Sequence, residues 1–201
     1  MTAAVDTVRH AVDGVRTSPR RPALRSAVMF YVHRAEAADA LYCRAPRSRG
    51  RPLVMALTAG GVVIGHTWAL YTDGHLLRAA LTDTCSLRGA DEVERRNVVL
   101  VDDGELPSSA LAQACEWIRR GGCASLTLAT VVADAALQER VAHLVDHLVV
   151  AHKVERLHRG SGLYVEGPAS ERHAAALLAR HPAQPWRNPR RASRTSAARS
   201  R

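Results

Sequence analysis

Two adjacent carboxylates, Asp102 and Asp103, stand directly behind an apolar run and in front of a small-residue turn in residues 97–111, NVVLVDDGELPSSAL. A pair of carboxylates at such a place can accept hydrogen bonds from a vicinal diol. The turn after it, and the amides opening the next helix, can hold a phosphate. The order acid, acid, turn, helix is therefore the order a sugar-phosphate site needs. The run Val98, Val99, Leu100, Val101 suits an inner parallel strand, whose C-terminal end is where open α/β sheets place ligands. This reading puts both aspartates at the mouth of a cleft. The helix that follows is expected over 110–120, with Leu111, Ala114, Cys115 and Ile118 on one face.

The elements that must position this pair are read from periodicity and punctuation. Strands are expected over 53–57, 75–81, 124–132 and 146–151, the last two from their β-branched and apolar runs. Helices are expected over 33–43, from about Val62 to Tyr71, over 137–144, and over 171–180 with Ser170 as cap. Residues 88–96 are charged and read as a loop, and Gly121 and Gly122 stop the helix after the acidic pair. Strand and helix alternate, which predicts an α/β fold with a mostly parallel central sheet flanked by helices. No internal repeat is visible.

The acidic segment resembles the PRPP-binding motif of the type I phosphoribosyltransferases, in which an apolar strand ends in two acidic residues and leads into a phosphate loop. The segment 51–69, RPLVMALTAGGVVIGHTWA, is similar to the family's first strand, its Gly-Gly loop facing pyrophosphate and the helix behind it. Residues 125–178, with an aromatic near Tyr164, resemble the closing strands and helix of bacterial members. The likeness spans roughly 30–180, and the Asp-Asp-Gly element is its most specific part. It implies that Asp102 and Asp103 hold the ribose hydroxyls. It implies further that Gly104, Ser108, Ser109 and Ala110 surround the 5′-phosphate, that Ala59, Gly60 and Gly61 face pyrophosphate, and that Mg²⁺ arrives with PRPP.

Several positions depart from the family pattern. After the acidic pair the family has a Thr/Gly-rich loop; here stand Glu105, Leu106, Pro107, Ser108 and Ser109. Pro107 removes a donor, Ser108 replaces the Gly that lets the backbone approach a phosphate, and Glu105 adds a charge opposed to an anion. Leu106 stands where purine-salvage relatives carry an Asp base, and Leu cannot accept a proton. Close bacterial relatives carry Pro-Arg-Gly-Gly where this chain has Thr58, Ala59, Gly60 and Gly61, so the cation of that loop is gone. Only 26 residues separate Leu70 from Asn97, which predicts a shortened hood over the site.

Composition bounds the remaining possibilities. The chain has 201 residues, 47% of them apolar, enough for one α/β domain with tails. The expected organisation is an N-terminal helix and basic linker over 1–25, a phosphoribosyltransferase-like domain over 26–180 and a disordered tail over 181–201. The formal charge of +9 is concentrated in that tail, which holds six Arg and no acid, so that 22 basic face 19 acidic residues before it. Such a tail is read either as a polyanion-binding arm, giving a nucleic-acid partner, or as a solubilising terminus. No run of about 18 apolar residues occurs and no secretory pattern opens the chain, so no membrane partner and a cytoplasmic location are expected. Cys43, Cys85, Cys115 and Cys123 are scattered and read as reduced thiols. His143 and His147, four apart beside Asp146, lack the H-E-x-x-H order and are not assigned a metal.

Three readings follow. One is a phosphoribosyltransferase that binds PRPP or a ribose 5-phosphate nucleotide and displaces pyrophosphate at C1 by positioning and charge neutralisation. Another is a catalytically degenerate regulatory or binding protein on the same fold, a pseudoenzyme. The third is a nucleic-acid-associated protein acting through its Arg-rich tail. The acceptor base and the assembly, including a homo-oligomer, stay open.

Overall fold

The computed structural model describes residues 30–47, 50–80, 92–155 and 162–181. Five parallel strands make one sheet: β1 (Leu53–Ala56), β2 (His75–Arg78), β3 (Asn97–Asp102), β4 (Ser125–Ala133) and β5 (His147–Lys153), in the order β2-β1-β3-β4-β5. All four pairings are parallel. Five helices flank it: α1 (Arg34–Tyr42), α2 (Ala59–Thr72), α3 (Ser108–Arg120), α4 (Ala135–Val141) and α5 (Glu171–Leu178). The expected parallel α/β sheet is thus present. The N-terminal helix, the basic linker and the Arg-rich tail after His181 lie outside the described residues.

The strands are apolar along their length because helices cover the sheet on both sides, and period-2 alternation divides their side chains between two cores. Val54, Ala56, Val99, Val101, Ala129 and Val131 pack with α1, α2 and α5. Leu53, Met55, Val98, Leu100, Leu126 and Leu128 pack with α3 and α4. Three of the helices start where the sequence supplies a cap. Thr58 accepts from the Gly61 amide at α2, Asp134 from Leu137 at α4 and Ser170 from His173 at α5. No side chain caps α3, whose N-cap is Pro107.

Two boundaries differ from expectation in ways that touch the site. The helix expected near Val62 begins at Ala59, so Gly60 and Gly61 form its first turn and are not a separate loop. The Thr58 cap sets that start, because its hydroxyl captures the Gly61 amide at 2.8 Å. Likewise α3 begins at Ser108, two residues earlier than expected, which places Ser108 and Ser109 in its first turn. Among the described residues no helix is long and apolar enough to cross a membrane.

Candidate functional site

The strand order reverses between β1 and β3: the chain leaves β1 toward β2, then returns to the other side of β1. At such a switch point the connections beyond the two C-terminal strand ends diverge and leave a crevice, the usual ligand position in open α/β sheets. Thr58, Ala59 and Gly60 follow β1 at this place, and Asp102 and Asp103 end β3 at the same place. The two segments singled out in the sequence are therefore in contact. A Cβ added to Gly60 would lie 1.6 Å from Asp103 Oδ2 and 2.5 Å from Arg34 Nε, so only glycine admits the approach of α2 to this carboxylate.

The acidic pair does not stand at a cleft mouth. Asp102 is 1% exposed and Asp103 fully buried. Alternation along β3 also sends them to different sides of the sheet. Asp103 meets α1 and α2. Its Oδ2 accepts from Arg34 Nε at 3.0 Å, its Oδ1 from the Thr58 hydroxyl at 3.0 Å, and its backbone carbonyl from the Tyr164 hydroxyl at 2.9 Å. Asp102 lies toward β4 and α3, with Thr130 beside it in the ladder. Its Oδ2 accepts from the Gly104 amide at 2.9 Å and lies 2.9 Å from Thr130 Oγ1. Its Oδ1, also buried, has no hydrogen-bond partner.

Arg34 organises the Asp103 side. Its side chain is 1% exposed, and Glu105, Glu166 and the Gly167 carbonyl accept from its Nη atoms at 2.8, 3.0 and 2.8 Å. Its guanidinium carbon stacks 4.1 Å from the Tyr164 ring centre, a cation–π contact. Burial works against the guanidinium's charge, but hydrogen bonds and attraction from Asp103 and Glu166 outweigh it and hold Arg34 above its ordinary pKa. Glu166, also opposed by burial, is held below the usual carboxylate range by the Arg34 amide and side chain and by His33. Glu105 is pushed up, by burial first and then by Asp103. Burial, followed by the charge on Asp103, also raises the Tyr164 hydroxyl. One guanidinium thus faces three carboxylates.

Asp102 is pushed up to about 7, first by burial and then by Asp103, against the lowering effect of Thr130 and of the Gly104 and Leu106 amides. The turn that follows is tight: Gly104 has φ +88°, and a Cβ there would lie 2.7 Å from Leu163 and 2.8 Å from Val132. Beyond it Ser108 and Ala110 are half-buried and Ser109 is exposed, in the uncapped first turn of α3 where amide donors stand free of helix acceptors. Ala59 and Gly61 lie buried in the first turn of α2, with no cation in that segment. His143 and His147 are both exposed, and His147 opens β5. Among the described residues no three His, Cys, Asp or Glu side chains converge to hold a metal ion.

Mg²⁺ needs open carboxylate oxygens. Both Asp103 oxygens are engaged, and the free Asp102 oxygen is enclosed by protein. The residues present therefore do not fit this ion.

Arg34, Thr130 and Glu166 belong to this cluster although the sequence reading does not single them out. One signal is available: Arg34, Ala37, Ala38 and Leu41 share a helical face, and all four are buried. A charge on an apolar face needs a partner, and Asp103 is that partner.

No family model matches the chain, and no curated protein matches it. Several solved structures share its fold. The crystal structure of the protein TT1426 from Thermus thermophilus superposes with a TM-score of 0.60 at 19% identity, covering 77% of this chain and 100% of that one. A purine phosphoribosyltransferase from Pyrococcus horikoshii Ot3 matches at TM-score 0.47 and 16% identity, over 64% of this chain and 89% of its own. An adenine phosphoribosyltransferase from Rhodothermus marinus matches at 0.45 and 14%, over 59% and 78% respectively. The likeness to TT1426 is one of fold. At TM-scores below 0.5 the other two carry no weight of their own.

Proposed function

We propose that this chain is a catalytically degenerate protein on a phosphoribosyltransferase-like α/β fold, a binding or regulatory protein and not a transferase. One observation carries the reading: Asp103 is fully buried with both oxygens bonded, to Arg34 and Thr58. A carboxylate so covered is closed to a diol, and displacing Arg34 for a sugar would break a buried ion pair. The sequence departures agree. Leu106 cannot act as a base, and the turn before α2 holds no cation for pyrophosphate.

The part of a sugar-phosphate site left accessible is the first turn of α3. There Ser108 and Ser109 offer hydroxyls and amides to a phosphate ester. Glu105, beside that turn, opposes an anion, an effect that its ion pair with Arg34 partly offsets. A ribose 5-phosphate or nucleotide would therefore bind weakly.

Incubation of the full chain with PRPP, Mg²⁺ and a panel of nucleobases tests the reading by release of pyrophosphate. The expected result is none above background, with calorimetry showing weak binding of ribose 5-phosphate that Ser108→Ala and Ser109→Ala diminish. Sustained pyrophosphate release that Asp103→Asn abolishes would overturn the proposal and restore the transferase reading.

A further inference from the structure

The Asp102 side of the switch point contains a hydrogen-bond count that does not close with an ionised carboxylate. Thr130 Oγ1 lies 2.9 Å from Asp102 Oδ2 and 3.0 Å from the Val132 carbonyl oxygen, and the hydroxyl has one proton for these two acceptors. With Asp102 ionised, one contact is a buried approach of two oxygens with no hydrogen between them. A proton on Oδ2 resolves it. The acid then donates to Thr130 Oγ1, Thr130 donates to the Val132 carbonyl, and the Gly104 amide still donates to Oδ2. The unpartnered Oδ1 becomes a neutral carbonyl oxygen, far less costly to bury bare than a carboxylate oxygen.

Among the described residues no cation bears on Asp102. The α3 and α4 side chains buried on this face, among them Leu111, Ala114 and Leu137, are apolar. Asp103, next in the chain, repels a second charge. Tyr164 and Glu105 are neighbours of Asp103, and the guanidinium of Arg34 is spent on Asp103, Glu105 and Glu166.

We propose that in mildly acidic solution Asp102 stands in the folded protein as a neutral carboxylic acid donating to Thr130, and that, with both aspartates enclosed by protein, neither is a ligand for Mg²⁺ and the site does not take a metal-bound diphosphate. The inference rests on the reading above for the place of the site and sharpens its ligand class to a metal-free phosphate ester. Burial next to Asp103 raises the carboxyl in the direction this arrangement requires.

Carbon-13 NMR of the full chain, with labelled aspartate carboxyls assigned through each residue's own backbone amide, tests this without a variant. Asp102 is expected to be protonated at about pH 5 and to titrate only above it, far above the ordinary aspartate range. A resonance already at its ionised position at about pH 5 would overturn the proposal. Millimolar Mg²⁺ is expected to leave the Asp102 and Asp103 resonances in place, and a saturable shift of either would overturn the metal half. In Thr130→Val the acid loses its acceptor, so the midpoint falls; a rise would mean that Thr130 donates to a carboxylate, and would overturn the proton assignment. Pyrophosphate release by the wild type would defeat the degenerate reading while leaving the Asp102 titration to be judged by itself.

Discussion

On the α1/α2 face Asp103 is buried against the Arg34 guanidinium and the Thr58 and Tyr164 hydroxyls, whereas one residue earlier, on the α3 face, Asp102 is buried with a backbone amide and Thr130. The residue type is the same, the burial is the same and the chain position differs by one. Strand alternation alone decides which core each side chain enters. The contrast shows two ways of burying a carboxylate: with a fixed cation on one face, and with a proton on the other. It also shows why the pair does not act as a unit toward a diol, since its members address opposite faces.

Removing the cation should have the largest effect. Arg34→Met leaves Asp103 buried without its partner, and loss of one partner of a buried pair costs about 3 to 5 kcal/mol. Urea unfolding at neutral pH measures it. A loss below about 1 kcal/mol would show that the clasp contributes little to stability and would erase the contrast between the faces.

The proton side is probed by pH. The folded-state value for Asp102 is about 7, above the ordinary aspartate value. Between about pH 4 and the folded midpoint, the unfolded chain has released a proton that the folded chain keeps. The stabilisation is therefore complete below about pH 4, falls as pH rises through this window by at most about 1.4 kcal/mol per pH unit, and is gone above it. Asp102→Asn lacks this titration. Its stability minus that of the wild type should grow by a few kcal/mol across the window and then level off, as thermal unfolding in a series of buffers would show. Parallel curves would contradict the assignment.

A smaller effect is expected at Gly60. The added methyl of Gly60→Ala meets Asp103 Oδ2 and Arg34 Nε, and the displacement should cost about 1 to 3 kcal/mol. Because the same network absorbs the clash, the cost should shrink in an Arg34→Met background. A double-mutant cycle reads this directly, and additive losses would show that Gly60 answers to some other contact.

Much of the frame is legible in the sequence. The buried strands announce themselves as β-branched runs, and the five expected strands lie within three residues of β1 to β5 at each end. The acidic pair and the glycine pair read as facing each other, and Gly60 does touch Asp103. The burial of the aspartates is not legible, because a single strand end carries no record of what covers it. Its cover comes from Arg34, 69 residues upstream, and from Thr58. The starts of α2 and α3 read two or three residues late, since glycine and serine look like loop residues until Thr58 and Pro107 are recognised as the flanking positions.

Arg34 reaches partners 69, 71 and 132 positions away along the chain. Contacts that span such distances wait for the intervening segments to be in place, so this clasp belongs to the final stages of assembly. A residue that closes the structure last governs how fast it comes apart more than how fast it forms. The loss caused by replacing Arg34 should accordingly be felt as a shorter lifetime of the native state, with the refolding rate little changed.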